Sequence, residues 1–301
     1  LAFLPGGGGI GAALVADARC AGVAFTGSTE VARLIAQSLA AKSGPIVPLI
    51  AETGGQNALI ADSSALCEQV VRDVLASAFN SAGQRCSALR VLFLQADIAD
   101  KVLGMLRGGM QELRIGNPTD IRTDVGPVID EEALSLLEAH QRKLDSFALP
   151  VHSCVLDSEL CAHGSFFAPC VYEIDSLERL EREVFGPILH VIRWRSDQLE
   201  QVCDAISNSG YGLTLGIHSR IDETVKRIVD RLHVGNTYVN RNIIGAVVGV
   251  QPFGGEGLSG TGPKAGGPHY LYRFASERTL SVDTTAAGGN ASLMSLNESS
   301  E

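Results

Sequence analysis

Short apolar runs alternate with amphipathic segments from about residue 52 to residue 250. Strands that alternate with helices along a chain are typical of a mainly parallel α/β domain, so the pattern predicts that fold class. An alternating run at 277–282 predicts an edge strand near the end of the chain, followed by a small-residue extension at 284–294. The runs that best match buried strands lie at 89–94, 190–194, 213–217 and 237–240.

The helical segments are recognised by apolar residues that recur at helical spacing. One segment carries them at 66–79, and Ser63 and Ser64 just before it can cap its first turn. Another has Ser219 and Asp222 in the spacing of a capping box, so we expect a side-chain cap there as well. Its apolar stripe consists of Ile221, Val225, Ile228, Val229 and Leu232.

Residues 80–88 form a polar, glycine-containing turn between the first of these helices and the strand at 89–94, and the turn carries one cysteine. A thiol at such a junction is exposed enough to react, and the neighbouring Arg85 would favour the thiolate, which is the attacking form. Cys86 is therefore the candidate nucleophile. From the turn alone, an inert, half-buried cysteine is the alternative, because free cysteine is among the most buried residue types.

Glu52 is the second candidate, because it ends the apolar run 46–51 and is followed by Thr53 and two glycines. The glycines allow another group to approach the backbone closely. A carboxylate at the carboxyl end of an α/β strand lies where such sheets bind ligands. The chain between Glu52 and Cys86 is long enough for a strand, a helix and a turn to bring the two side chains face to face.

A candidate anion site follows the short apolar run 23–26, where the chain turns at Gly27 and Ser28 into a predicted helix. Unpaired N–H groups in the first turn of that helix would suit a pyrophosphate, and an ordinary capped helix is the alternative. The glycines at 6–11 also fit G-x-G-x-x-G, but no convincing strand precedes them, so we assign them no cofactor role. The helix has its apolar face at Val31, Leu34, Ile35 and Leu39.

Two later segments contain candidate binding residues. Glu183 lies just before the Phe-Gly-Pro sequence at 185–187, which predicts a rigid turn with an aromatic face, and such a turn alone is more often structural. Residues 240–253 end a strand and continue as a glycine-rich loop, in which the N–H groups of Gly245 and Ala246 can form a nest for a carboxylate. The alternative for this segment is a buried loop that contains glycines and binds no ligand.

The composition excludes several classes of function. The chain has 301 residues, of which 45% are hydrophobic, enough for a sizeable core. Its net charge of -10 and its lack of a basic block argue against a nucleic-acid or anionic-membrane partner, so we expect small molecules or copies of the chain as partners. No apolar run reaches the roughly 20 residues of a membrane-spanning helix.

The seven cysteines include no C-x-x-C pair and the histidines are scattered, so we expect neither a disulfide framework nor a metal site. Free cysteines fit a reducing, cytoplasmic location. The chain starts at Leu1 without an initiator methionine or a basic signal region. We therefore interpret it as the carboxyl-terminal part of a longer protein.

Four motifs resemble the aldehyde dehydrogenase superfamily in order and spacing: Glu-Thr-Gly-Gly at 52–55, Gly-Gln-Arg-Cys at 83–86, Glu-Val-Phe-Gly-Pro at 183–187 and Pro-Phe-Gly-Gly at 252–255. Each motif alone would be weak, but the four together are specific, and the resemblance covers essentially the whole chain. It implies an aldehyde dehydrogenase-like α/β fold. The implied parts are a partial Rossmann-type NAD-binding domain at 1–52, a complete catalytic thiol domain at 53–252, a return segment to the active site at 253–275, and an oligomerisation strand with the C-terminal tail at 276–301.

The resemblance also implies a role for each site residue. Cys86 would be the nucleophile, Glu52 would activate water, and NAD would be the cofactor. Glu183 would hold a cofactor ribose, Phe185 would flank the nicotinamide, and Ala32 stands where many relatives carry a glycine of the cofactor motif. The other implied cofactor residues are Thr26, Gly27, Ser28, Thr53 and Gly54, and the implied substrate residues are Ser87, Gly245, Ala246 and Phe253.

Residues 245–268 and the tail resemble, more narrowly, the carboxyl end of bacterial proline utilization A proteins. Those proteins join a flavin-dependent proline dehydrogenase to an L-glutamate γ-semialdehyde (pyrroline-5-carboxylate) dehydrogenase, and only the second is represented here. The resemblance implies NAD-dependent oxidation of glutamate semialdehyde to glutamate, the second step of proline catabolism. FAD is expected only in the missing proline dehydrogenase part.

The same resemblance places an asparagine oxyanion donor and a ribose-binding lysine upstream of Leu1. The segment made alone is therefore expected to be inactive. A homo-oligomer is expected to form through the strand at 277–282.

Other functions stay open on the sequence. A thioester-forming reductase would also use a cysteine but needs no hydrolytic carboxylate, so Glu52 favours the hydrolysing branch. A scaffold on this fold would be favoured only if Cys86 and Glu52 were absent. An aldehyde dehydrogenase for another class of substrate is the third alternative.

Overall fold

The computed structural model describes residues 1–283, in which helices and strands alternate as the apolar pattern predicts. The α-helices are α1 (Gly8–Ala16), α2 (Thr29–Ala40), α3 (Cys67–Phe79), α4 (Ala96–Gln111), α5 (Glu131–Leu144), α6 (Leu199–Asn208) and α7 (Asp222–Arg231). The strands are β1 (Val23–Thr26), β2 (Leu49–Glu52), β3 (Ala58–Ala61), β4 (Val91–Gln95), β5 (Leu149–Ser153), β6 (Cys170–Glu173), β7 (Ile188–Trp194), β8 (Tyr211–Gly212), β9 (Thr214–His218), β10 (Asn236–Val239) and β11 (Glu256–Gly257). Short 3-10 turns lie at Asn80–Gly83, Leu177–Arg179, Ser196–Gln198 and Leu271–Phe274.

The main sheet has seven strands in the order β10-β9-β3-β4-β7-β6-β5, and neighbours are parallel except for the antiparallel pair β5 and β6. Every residue of the central strands β3 and β4 is buried, which explains why their sequences are nearly continuous apolar runs. One large hydrophobic cluster runs from Ala58 to Ile243. The predicted mainly parallel α/β fold is therefore confirmed.

Two smaller sheets, each of two strands, accompany the main sheet. β1 and β2 pair in parallel, and β2 ends at Glu52, as the sequence predicts. β8 pairs antiparallel with β11, and Glu52 forms an isolated bridge with Gly260, so the chain at 253–260 returns to Glu52. On α2, Val31 and Leu34 of the predicted apolar face are exposed.

Both predicted serine caps are wrong, for one physical reason. Neither α3 nor α7 receives a side-chain hydrogen bond at its N-cap residue, so Ser63 and Ser64 do not cap α3 and no capping box begins α7. The hydroxyls of Ser64 and Ser219 donate instead to the buried carboxylate of Asp62. A buried carboxylate needs hydrogen-bond donors, and it takes the two hydroxyls that the pattern assigns to the helices.

Strand ends differ from the predicted ones by one or two residues. β4 starts at Val91 rather than Leu89, because the N–H of Leu89 donates to the carbonyl of Ser77 in α3 and not to a neighbouring strand. The edge strand predicted at 277–282 is wrong for the single chain, because these exposed residues have no pairing partner among the described residues. The predicted extension at 284–294 lies outside the described residues.

Within residues 1–283, no helix is both long enough and apolar enough to cross a bilayer. The same residues contain no group of three or more His, Cys, Asp or Glu side chains arranged to hold a metal ion.

Candidate active site

The candidate active site lies at the amino-terminal edge of the main sheet. Four neighbouring parallel strands, β9, β3, β4 and β7, begin there, and the segments just before them carry Tyr211, Asn57, Cys86 and Glu183. The loop after β2 reaches the same edge, since Gly55 donates its N–H to Glu183 Oε2 at 3.1 Å. Residues far apart in the sequence are therefore brought together because parallel strands start side by side.

The Cys86 turn (residues 80–88) leaves α3 through an uncommon backbone conformation. Ser81, Ala82 and Gly83 all have left-handed φ angles, of 56°, 53° and 65°. This conformation is unfavourable by about 1–3 kcal/mol for each non-glycine residue. A Cβ at Gly83 would overlap the carbonyl of Gly186, so the glycine lets the Cys86 turn pack directly on the Glu183 turn (residues 183–187).

Asn57 holds the Cys86 turn from the start of β3. Its side-chain Nδ2 donates to the carbonyls of Cys86 and Ala88 at 2.6 and 2.9 Å, and its Oδ1 accepts the N–H of Thr214 at 3.1 Å. The side chain is buried. A single buried amide therefore ties the Cys86 turn to the starts of β3 and β9.

Cys86 is half-buried, and its thiol has a raised pKa. Burial is the main cause and the negative charges of Glu183 and Glu52 add to it, whereas the N–H groups of Ser87 and Cys86 oppose it. The exposed side chain of Arg85 donates to a serine hydroxyl within the turn. The expectation that Arg85 holds the thiolate is therefore wrong, and backbone N–H groups are what favour the attacking form.

Glu52 has the environment of a general base. Its Oε2 accepts the N–H of Gly255 at 3.0 Å, while Oε1 is buried without a hydrogen-bond partner among the described residues. Burial raises the pKa of Glu52 to about 7, although the Gly255 N–H and the charge of Lys264 oppose the rise. A carboxyl group with a pKa near neutrality can both accept and release a proton at physiological pH.

Cys86 lines a cavity of about 380 Å³, together with all seven residues that the resemblance implies for NAD. A second cavity of about 430 Å³ shares five lining residues with it. These volumes lie in the usual range of ligand pockets. The lining of the first cavity consists of Thr26, Gly27, Ser28, Thr29, Glu30, Thr53, Gly54, Cys86, Arg182, Glu183, Phe185 and Tyr211.

Glu52 does not line this cavity. Its carboxylate is enclosed by glycines of the returning chain, since a Cβ at Gly254 or Gly260 would come within 2.8 or 3.1 Å of it. The negative charge of Glu52 contributes to the raised pKa of the Cys86 thiol, although Glu52 is not a lining residue of the Cys86 cavity.

The start of α2 fits a cofactor phosphate, with one correction. Ser28 is the N-cap of α2, and its Oγ accepts the N–H of Val31 at 3.2 Å. The pKa of Glu30 is held below its usual value, mainly by its own backbone N–H and the Ser28 hydroxyl. One N–H group expected to be unpaired, that of Val31, is therefore taken by Ser28, and the Glu30 carboxylate lines the same cavity.

Glu183 fits a cofactor ribose. Its Oε1 accepts from two nitrogens of Arg90, at 3.0 and 3.3 Å, and its Oε2 accepts the N–H of Gly55. A carboxylate offers about four lone-pair positions, so about one remains for a ribose hydroxyl. Burial raises the pKa of Glu183, and the Arg90 guanidinium opposes that rise.

The four implied substrate residues do not line the cavity. Ser87, the next residue after Cys86, is buried. Gly245 and Ala246 are exposed, and Gly245 has a φ of 87°, a conformation that nests use. Phe253 forms an isolated bridge with Ala265. Their role in substrate binding stays a prediction.

Sequence reasoning missed several residues of this site. They are the cavity residues Thr29, Glu30, Arg182 and Tyr211, and also Asn57, Arg90 and Lys264. Tyr211 lines the cavity together with Glu183, while Lys264 places a positive charge near Glu52. Arg90 could have been identified because it is a charged residue inside the apolar run that leads into β4. Asn57 could have been identified because its side-chain amide lies directly before a buried strand.

The motifs and this geometry agree with a family match over residues 1–280, to the model described as the Aldehyde dehydrogenase family. The chain belongs to the aldehyde dehydrogenase family. The chain is 58% identical over 288 residues to the Bifunctional protein PutA of Escherichia coli (strain K12), a match that covers 93% of the chain and 22% of that protein.

Two solved structures extend the comparison. A crystal structure of a bifunctional proline utilization A (PutA) protein has a TM-score of 0.90 and 60% identity, and the match covers 94% of the present chain and 28% of the PutA chain. A 1-pyrroline-5-carboxylate dehydrogenase from Thermus with bound NAD has a TM-score of 0.83 and 34% identity, and the match covers 90% and 53% of the two chains. The aldehyde dehydrogenase fold is confirmed, and the chain spans between about a fifth and about half of the length of these relatives.

Proposed function

We propose that this chain oxidises L-glutamate γ-semialdehyde to L-glutamate with NAD, as part of an enzyme of proline catabolism. The observation that carries the proposal is the cavity that Cys86 shares with the seven implied NAD residues. Glu52, a carboxyl group with a pKa of about 7, supports it, because its charge acts on the Cys86 thiol. The substrate is supported by the names of the PutA and 1-pyrroline-5-carboxylate dehydrogenase relatives.

In the proposed reaction, Cys86 acts as a covalent nucleophile. Its thiolate adds to the aldehyde carbon, and the oxyanion of the resulting thiohemiacetal is stabilised by the backbone N–H of Cys86. NAD, when bound, supplies the acceptor for the hydride that leaves this carbon. Water then attacks the thioester on Cys86 while Glu52 takes a proton from it, glutamate leaves as its carboxylate, and Cys86 returns as the thiolate.

Glu52 supports hydrolysis rather than transfer of the thioester to another acceptor. A reductase that keeps or transfers a thioester needs no buried base beside it. Here the carboxyl of Glu52 is enclosed by the returning chain and has a pKa of about 7, which suits removal of a proton from water.

Three further proposals concern the protein around this site. A flavin belongs only to a proline dehydrogenase part of the kind that PutA relatives carry. A homo-oligomer forms through the exposed segment 277–282, which is free to pair with a second copy of the chain. The location is cytoplasmic, which seven free cysteines support.

The test measures NADH formation from glutamate semialdehyde and from propanal, with the chain joined to the amino-terminal dehydrogenase residues that its relatives carry. We expect a higher kcat/KM for glutamate semialdehyde and no turnover by Cys86→Ala. Cys20→Ala, which changes a half-buried cysteine outside the cavity, is the control and should keep wild-type turnover. Turnover by Cys86→Ala, or a preference for propanal, would contradict the proposal.

A further inference from the structure

Arg90 is a charged side chain with 1% exposure, placed between the Cys86 turn and β4. All five of its N–H donors have acceptors. Nη1 donates to the carbonyls of Gly83 and Gly186 at 2.8 and 3.0 Å. Nη2 donates to the carbonyl of Arg85 at 3.2 Å and to Glu183 Oε1 at 3.0 Å, and Nε donates to the same Oε1 at 3.3 Å.

These contacts fall into two groups. The carbonyls of Gly83 and Arg85 belong to the Cys86 turn, whereas the Glu183 carboxylate and the Gly186 carbonyl belong to the Glu183 turn. The ring of Phe185, also in the Glu183 turn, lies 5.2 Å from the guanidinium carbon. One side chain thus contacts two residues just before Cys86 in the chain and the two implied cofactor side chains of the Glu183 turn.

The shape of the guanidinium is essential to this arrangement. Five donors in one rigid plane can reach acceptors on two turns at once, whereas the ammonium of lysine is a point charge with three donors on a flexible stem. The flat face of the same group remains available for the Phe185 ring. A lysine at this position would keep the charge but could not donate hydrogen bonds to both turns at once.

We propose that Arg90 is a positioning residue that couples the Cys86 turn to the Glu183 turn, so that the thiol and the cofactor-binding side chains keep one relative geometry. This inference rests on the proposed function, because it assigns NAD to the Glu183 side. Its readouts are the KM for NAD and the rate of Cys86 alkylation. Alkylation is measured without substrate and responds even if glutamate semialdehyde proves not to be the substrate, so the two proposals can fail separately.

The primary experiment compares Arg90→Lys with wild type in the chain joined to the amino-terminal dehydrogenase residues. We expect the KM for NAD to rise, and the rate of Cys86 alkylation by iodoacetamide to change, by about tenfold or more, as for loss of charge-assisted hydrogen bonds. Arg122→Lys is the matched control, because Arg122 makes the same kind of fork with Asp120 but is exposed, and it should change neither value.

Two further measurements separate positioning from a general effect on folding. In Arg90→Ala, added guanidinium at non-denaturing concentration should restore NAD affinity and Cys86 alkylation, whereas added ammonium should not. In a double-mutant cycle of Arg90→Lys and Glu183→Gln, the effects of the two substitutions on the KM for NAD should be strongly non-additive, because both break the same Arg90–Glu183 contact.

The proposal can be tested even if the Arg90 variants do not fold. Glu183→Asp keeps the negative charge but withdraws the carboxylate from Arg90, so it should change the alkylation rate of Cys86 in the absence of NAD. Glu181→Asp, an exposed carboxylate paired with Lys143, is its control. A wild-type alkylation rate in Glu183→Asp, or an unchanged KM for NAD in folded Arg90→Lys, would overturn the proposal.

Discussion

The side-chain Nδ2 of Asn57 lies 2.6 Å from the carbonyl oxygen of Cys86, and both groups sit at the amino-terminal edge of the main sheet. The same amide nitrogen reaches Ala88, and the amide oxygen accepts from Thr214. The backbone that carries the nucleophile is therefore held by an amide whose donors and acceptor are all used inside the protein. Such a group is costly to replace.

Asn57→Asp should destabilise the protein by about 2–6 kcal/mol, because two buried carbonyls each lose a donor at about 1–3 kcal/mol. Urea denaturation measures the change in the free energy of unfolding. Asn117→Asp is the control, because the exposed Asn117 uses its Oδ1 only as an acceptor from Thr119, a role that a carboxylate can keep. Equal stability of the two variants would show that the amide does not hold the Cys86 turn.

Glu52→Gln should separate the two halves of the reaction. The amide keeps the size of the side chain but cannot take a proton from water, so thioester hydrolysis should fall by about 10²–10⁴-fold. Rapid-mixing measurements should show a stoichiometric burst of NADH followed by a very slow steady state. A burst lost together with the steady state would mean that Glu52 acts before hydrolysis.

The pH dependence of hydrolysis should report Glu52. The base works when deprotonated, and its pKa is about 7, so the rate of the hydrolytic step should rise with pH through that value and then level off. Lys264→Met removes a positive charge that lowers this pKa, so the inflection should move to higher pH. Lys226→Met, which removes an exposed lysine paired with Asp230, should leave the profile in place. An unmoved inflection in Lys264→Met would assign the titration to another group.

Ser87→Ala should reduce use of glutamate semialdehyde more than use of propanal. Ser87 directly follows Cys86 and is buried, and a charge-assisted bond from its hydroxyl to a substrate carboxylate would contribute roughly 1.5–3 kcal/mol. The comparison of kcat/KM for the two aldehydes checks this. Equal losses on both would remove Ser87 from the substrate site.

Local patterns were enough to identify the residues that lie on turns and strand ends. Cys86 and the seven implied cofactor residues were named from motifs, and the structure places all eight around one cavity. Glu52 was correctly placed at the end of its strand, although it does not line that cavity.

Residues whose role depends on distant partners could not be predicted in this way. Arg90 contacts Glu183, 93 positions away, and nothing near Arg90 in the sequence reveals that partner. Ser219 was misassigned as a helix cap because its hydroxyl donates to Asp62, 157 positions away, whereas the Asp62 that takes the Ser64 hydroxyl is a local competitor two residues before it. The segment 277–282 has a strand pattern, but a strand also requires a partner, which the described part of a single chain does not provide.

The most direct test of the account is to trap the covalent intermediate. Glu52→Gln is mixed with NAD and glutamate semialdehyde, quenched in acid and digested, and the peptides are analysed by mass spectrometry. The account predicts one glutamyl adduct per active site, carried by Cys86 and formed at the same rate as the NADH burst. An adduct on another residue, or NADH formed without any adduct on Cys86, would contradict it.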